Sequence, residues 1–206
     1  MRSFIKTLLA AAALSALPML ANAESHYVNG TGNANARLDF QVTVPRFLLL
    51  RVGTGSNTAT NSTVDLISFT VPATTMGNGT PVAASAGSGD LGNGAVTARV
   101  LGNGGAVTLT SATNGALSNG VAGNTISYSQ IQTAVTALAG APGAPMAHPT
   151  LADSGTGSVT LPATAGVVDR GATWTYSYAN SGIVAPGTYG GVNVNNGRVT
   201  YTAATP

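Results

Sequence analysis

The residues in this chain that could do chemistry are few, and their spacing is loose. His26 and His148 are the only histidines. His148 stands in Ala147-His148-Pro149, with Asp153 and Ser154 close behind. A hydrolytic triad needs a nucleophile, a base and an orienting carboxylate to converge, with the serine on a sharp elbow. No G-x-S-x-G sequence occurs, and the Pro/Gly/Ala-rich surroundings predict a loop, so His148 is expected at the surface. Glu24 is the only glutamate. A pair of catalytic carboxylates would therefore come from Asp39, Asp65, Asp90, Asp153 and Asp169, which lie scattered along the chain. These residues point to no enzyme and to no cofactor.

Gly87-Ser88-Gly89-Asp90-Leu91-Gly92 fits G-x-G-x-x-G. Phosphate binding by that motif needs a strand before it and a helix after it. Here a loop precedes it and an alternating strand follows. Asp90 and Asn93 supply oxygen atoms for calcium, but that ion takes six or more oxygen ligands. Trp174, Tyr176 and Tyr178 lie at alternate positions and so share one face of a strand. They would either anchor a core or, if exposed, stack against sugar rings as a ligand-binding platform.

The elements that must position these residues read as strands and turns. Arg37 to Val44 alternates, with Leu38, Phe40, Val42 and Val44 on one face, and predicts a half-buried strand. Phe47 to Val52 is nearly all apolar, and Val64 to Val71 predicts the next strand. Ala95–Leu101 and Ala106–Ser111 flank Gly102-Asn103-Gly104-Gly105, which reads as a hairpin turn. Thr125 to Ala139 fits two elements. Ser129 to Gln132 matches a helix capping box, and Ile131, Val135 and Leu138 have helical spacing, yet Thr125 to Ile131 also reads as a strand. Ser158–Leu161 and Thr173–Tyr178 are further strands. Asn195-Asn196-Gly197 predicts a hairpin joining Gly187–Val194 to Arg198–Thr202. Long Gly/Asn-rich loops join these elements. Glu24 to Asn35 reads as a flexible lead-in.

The N-terminus carries an export signal. Arg2 and Lys6 precede an apolar stretch from Leu8 to Leu20, which ends at Ala21-Asn22-Ala23. Charge, apolar run and small-x-small site in that order mark a signal peptide over residues 1–23. The run is shorter than the roughly 20 residues of a membrane helix, and no second long run follows. Beyond Ala23 the basic residues are Arg37, Arg46, Arg51, Arg99, Arg170 and Arg198, and they balance the acids. The mature chain is thus about neutral, which excludes a nucleic-acid partner held by phosphate attraction. It has no lysine and no cysteine, so neither a disulfide nor a thiolate metal site supports the fold. Abundant Gly, Thr, Val, Asn and Ser favour strands and tight turns over helices.

The last third resembles the end of bacterial cell-surface β-sandwich proteins. Val168 to Asn180, Ala185-Pro186-Gly187-Thr188-Tyr189 and Arg198-Val199-Thr200-Tyr201-Thr202 are similar to the closing strands of fimbrial-type subunits and WxL-type surface domains. Arg37 to Gly53 is similar to the first strands of such proteins. Trp174-Thr175-Tyr176 departs from Trp-x-Leu, and the pilus-subunit disulfide is absent. The resemblance implies an immunoglobulin-like sandwich at the surface or outside the cell, and carries over no ligand. The expected protein is all-β, an antiparallel sandwich over residues 36–206 with at most one short helix. Its expected role is structural or adhesive, with self-association or docking to other surface proteins through strand edges. A glycan-binding module using Trp174, Tyr176 and Tyr178 is the alternative.

Overall fold

A computed structural model describes residues 24–206. The export signal expected over residues 1–23 lies outside the described residues. The chain divides into two units, one ending at Val44 and the other running Pro45–Pro206. The boundary falls inside the stretch that sequence patterning assigns to one domain.

The second unit is all-β. Its strands are β1 (Leu48–Val52), β2 (Val82–Ala83), β3 (Ala95–Gly102), β4 (Val107–Thr113), β5 (Leu117–Ser118), β6 (Thr125–Ile126), β7 (Ile131–Ala137), β8 (Gly155–Leu161), β9 (Val168–Tyr178) and β10 (Thr200–Ala204). β9 is the hub of the larger sheet. It pairs with β3, with β7 and, at its Tyr178 end, with β2, while β1 lies outside β3. The second sheet runs β10-β4-β8, and β5 and β6 form a small ribbon. Every pairing is antiparallel.

The two sheets meet as a sandwich because alternation leaves each with one dry face. Val96, Ala98 and Val100 of β3 and Trp174 and Tyr176 of β9 join Val107 and Leu109 of β4 and Leu161 of β8 in one core. Further along β4 the inward positions turn polar at Ser111 and Thr113. Their hydroxyls donate to the carbonyls of Thr150 and Ala152, so the connection from β7 to β8 satisfies them. Buried hydroxyls without such partners would cost free energy.

Several sequence expectations need correction. Arg37 to Val44 belongs to no strand among the described residues, where no neighbour supplies a ladder. Alternation marks a segment able to pair and says nothing of a partner. Val64 to Val71 forms no strand and is part-buried, with one isolated bridge from Phe69 to Ala84. Gly102 to Gly105 is not a hairpin. β3 lies between β1 and β9, and β4 lies between β10 and β8, so the turn carries the chain from one sheet to the other. Asn195-Asn196-Gly197 does make a tight turn, with Asn195 and Asn196 at φ 50° and 59° and a bond from Gly197 N–H to the Val194 carbonyl. Only β10 follows as a strand, and residues 187–194 stay irregular. The ambiguous stretch resolves as strand. Ser127 caps a single 3-10 turn at Tyr128–Gln130, and β7 then pairs with β9 over its whole length. A complete ladder outweighs the weak helix preference of a segment rich in Thr and Val.

Candidate functional site

Two features stand out: an unpaired strand-like segment and an apolar groove. The segment is Arg37 to Val44. Leu38, Phe40, Val42 and Val44 are 72–86% exposed. Single exposed apolar residues are ordinary, but four at alternate positions on an unpaired backbone are not. Upstream of them an exposed ion pair joins Arg37 to Glu24 at 2.7 Å. Exposed pairs of this kind contribute little stability.

The groove lies in the body and has a volume of about 1060 Å³. It is bounded by β1, by the stretch Val64 to Val71, and by the chain from Val184 to Tyr201. Leu50, Ile67, Phe69, Tyr176, Tyr178 and Tyr201 give it an apolar lining. Among the described residues β1 and β10 each pair on one side only, so both flanking strands present a sheet edge there.

The aromatic stripe points inward. Trp174 is fully buried, and Tyr176 and Tyr178 are nearly so. The Trp174 indole N–H donates to the Met146 carbonyl at 2.9 Å, which ties the β7–β8 connection to the core. The three rings therefore form no exposed coplanar face on which a sugar could stack. They act as core, and Tyr176 and Tyr178 also wall the groove.

His148 is not the free surface residue expected from its loop. It is half-buried, and its Nε2 lies 2.7 Å from the Tyr201 hydroxyl and 3.1 Å from the Tyr176 hydroxyl. The two hydroxyls are 3.0 Å apart, closing a triangle. The imidazole meets the Trp174 ring edge-on, with centroids 4.6 Å apart. Burial pushes the His148 pKa down to about 4, and a backbone hydrogen bond at Pro149 opposes part of that shift. Burial likewise pushes the Tyr176 hydroxyl up to about 12 and Tyr201 well above the usual phenol range. Both tyrosines stay protonated donors. Local sequence carries no signal for this cluster, because His148, Tyr176 and Tyr201 come from three separate elements.

The remaining candidates have structural partners. Asp90 accepts from the Thr97 N–H at 2.8 Å through one oxygen and pairs with Arg51 at 3.2 Å through the other. Its oxygens hold β3 and β1 in place. The Gly87–Gly92 motif opens into β3 rather than into a helix. Within it, the Ser88 hydroxyl accepts from the Ser68 N–H, and Gly89 adopts φ +78° where a Cβ would strike the Ala95 carbonyl. Asp153 accepts from the Tyr128 N–H at 2.6 Å, and the hydrogen bonds of the His148 ring run to Tyr176 and Tyr201 instead. Among the described residues no group of three His, Cys, Asp or Glu side chains is gathered as for a metal ion. No family model matches this chain, and no curated protein or solved structure matches it.

Proposed function

We propose that this chain is an exported, non-enzymatic structural or adhesive protein of the bacterial surface, whose copies associate by lending a strand. The observation that carries the reading is the segment Arg37 to Val44, outside any strand among the described residues and with four exposed apolar side chains at alternate positions. The occupant proposed for the groove is that segment from a second copy. Its backbone would extend a free sheet edge while Leu38, Phe40, Val42 and Val44 fill the apolar lining. Pairing of this kind takes its affinity from main-chain hydrogen bonds and its specificity from alternate side chains.

Magnitudes support the pairing. Burying four large apolar side chains is worth roughly 1.5–3 kcal/mol each. Association itself costs about 4–15 kcal/mol. The apolar term is therefore comparable to that cost, and the ladder bonds add to it. Electrostatics offers little resistance, because the chain beyond Ala23 is balanced in charge. The export signal over residues 1–23 and the surface-protein resemblance of the final strands agree with a role outside the cytoplasm.

The test is sedimentation of the protein recovered after export, over a concentration series. A variant with Phe40→Asp and Val42→Asp is run beside it. The expected result is concentration-dependent oligomers from the parent and monomers from the variant, with equal thermal stability at concentrations where the parent is monomeric. A parent that stays monomeric at high concentration would overturn the reading.

A further inference from the structure

The His148 triangle joins three parts of the body that are far apart in sequence. Tyr176 belongs to β9 in the larger sheet, Tyr201 to β10 in the smaller one, and His148 to the connection between β7 and β8. Its polar atoms lie within 2.7–3.1 Å of one another. Trp174 packs against the same connection, through its indole bond to the Met146 carbonyl and its edge-on contact with the imidazole. Tyr176 and Tyr201 are also wall residues of the groove.

The proton count sets what this cluster can do. With a neutral ring whose Nε2 is bare, the Tyr201 hydroxyl donates to Nε2 and the Tyr176 hydroxyl donates to the Tyr201 oxygen. Each proton then has an acceptor inside the triangle. If Nε2 takes a proton, it becomes a donor. Tyr201 must then accept from His148 and turn its own proton toward Tyr176. The Tyr176 proton loses its acceptor within the triangle, and the positive charge is partly withdrawn from water. Both changes are costly.

The groups that face the ring offer no countercharge. They are Tyr176 from β9 and Tyr201 from β10, both neutral phenols. Tyr128 comes next beyond Tyr201, with Asp153 engaged at its backbone N–H. Among the described residues no hydrogen bond or ion pair joins the imidazole to a carboxylate or an arginine.

We propose that His148 is an acid-released clamp: neutral, it ties the β7–β8 connection and the edge strand β10 to β9, and protonation frees that connection and loosens the groove wall. This holds whether or not the groove receives a strand from another copy. The sign follows from the geometry. Native packing favours the neutral ring, so the unfolded chain takes a proton first as pH falls below the ordinary histidine range. Stability contributed by the neutral clamp is complete above about pH 6.5 and declines toward pH 4.

The experiment is denaturant unfolding of the exported protein between pH 4 and pH 8, followed by Trp174 emission. A His26→Asn background leaves one imidazole to titrate. His148→Gln is the paired variant, since its amide keeps neutral polar atoms near the tyrosines. The folding constant of the parent is expected to fall on the order of a hundredfold from pH 6.5 to pH 4, beyond any fall in the Gln variant. Native-state proton NMR of the single imidazole is the second readout, which does not depend on the variant folding. Titration of His148 below pH 5 supports the clamp. Titration in the ordinary histidine range, or parent and Gln variant losing stability in parallel, would overturn it. Neither readout requires association, so failure here is separable from failure of the strand-lending reading.

Discussion

At the scale of single residues, the body depends on side chains whose polar atoms are matched inside the protein. Trp174 fills the middle of the sandwich and donates its indole proton to Met146. Trp174→Ala is expected to cost about 3–5 kcal/mol, the range of large aromatic truncations in cores. Chemical denaturation measures it, and the native emission of the parent should be blue-shifted. Asn180 is a second anchor. It is buried at φ +52°, accepts from the Gly77 N–H at 2.8 Å, and donates to the Thr75 carbonyl at 2.8 Å. It thereby pins the 72–80 loop to the end of β9. Asn180→Ala leaves those buried groups unpaired and places an alanine in the left-handed region. A loss of about 2–4 kcal/mol is expected. Asn180→Gly relieves only the backbone part, so it should recover about 1 kcal/mol. Equal stability of the two variants would show that the hydrogen bonds carry the whole effect.

At the scale of elements, the β7–β8 connection is the part most dependent on close approach. Gly157 on β8 has no room for a Cβ, because the backbone of Thr150 lies against it. Gly157→Ala should push that connection outward and break the cover over Ser111 and Thr113. A cost of about 1–3 kcal/mol is expected, as for other overpacked sites. Amide exchange should localise the loosening to residues 146–154 and leave β3 and β9 protected. Uniform loss of protection would argue against a local effect. The strand assignments at this scale also show where sequence patterning works. β3 and β9 pair over eight residues in one register, and their inward positions alternate as their sequences do. Val64 to Val71 and residues 187–194 have similar composition but no ladder. Strand propensity is realised only where a neighbouring edge is available.

At the scale of the whole molecule, the proposed association of copies would rest on the balanced charge beyond Ala23 and on the exposed apolar segment Arg37 to Val44. If the contact is apolar burial plus a backbone ladder, screening has little to act on. Association measured by sedimentation should therefore change little between low salt and about 0.5 M salt. A steep fall with salt would point instead to charge pairing. Removing residues 24–44 should leave the body folded, because the core is built from residues beyond Pro45. Its melting temperature should match that of the parent measured as a monomer, while association is lost.

The residues alone determined the class of this protein. Glycine, threonine and valine in alternating runs, punctuated by Gly and Asn turns, favour strands over helices throughout the chain, though they do not say which runs find a partner. They also determined that Trp174, Tyr176 and Tyr178 share a face, because alternation is local. The tertiary structure decided which way that face points, since burial depends on what the opposite sheet brings. It decided that Gly102 to Gly105 crosses between sheets, because pairing is a choice among edges far apart in sequence. It also decided that His148 meets Tyr176 and Tyr201. The two tyrosines lie 28 and 53 positions from the histidine, and only the closing of two sheets around one connection brings the three polar atoms together.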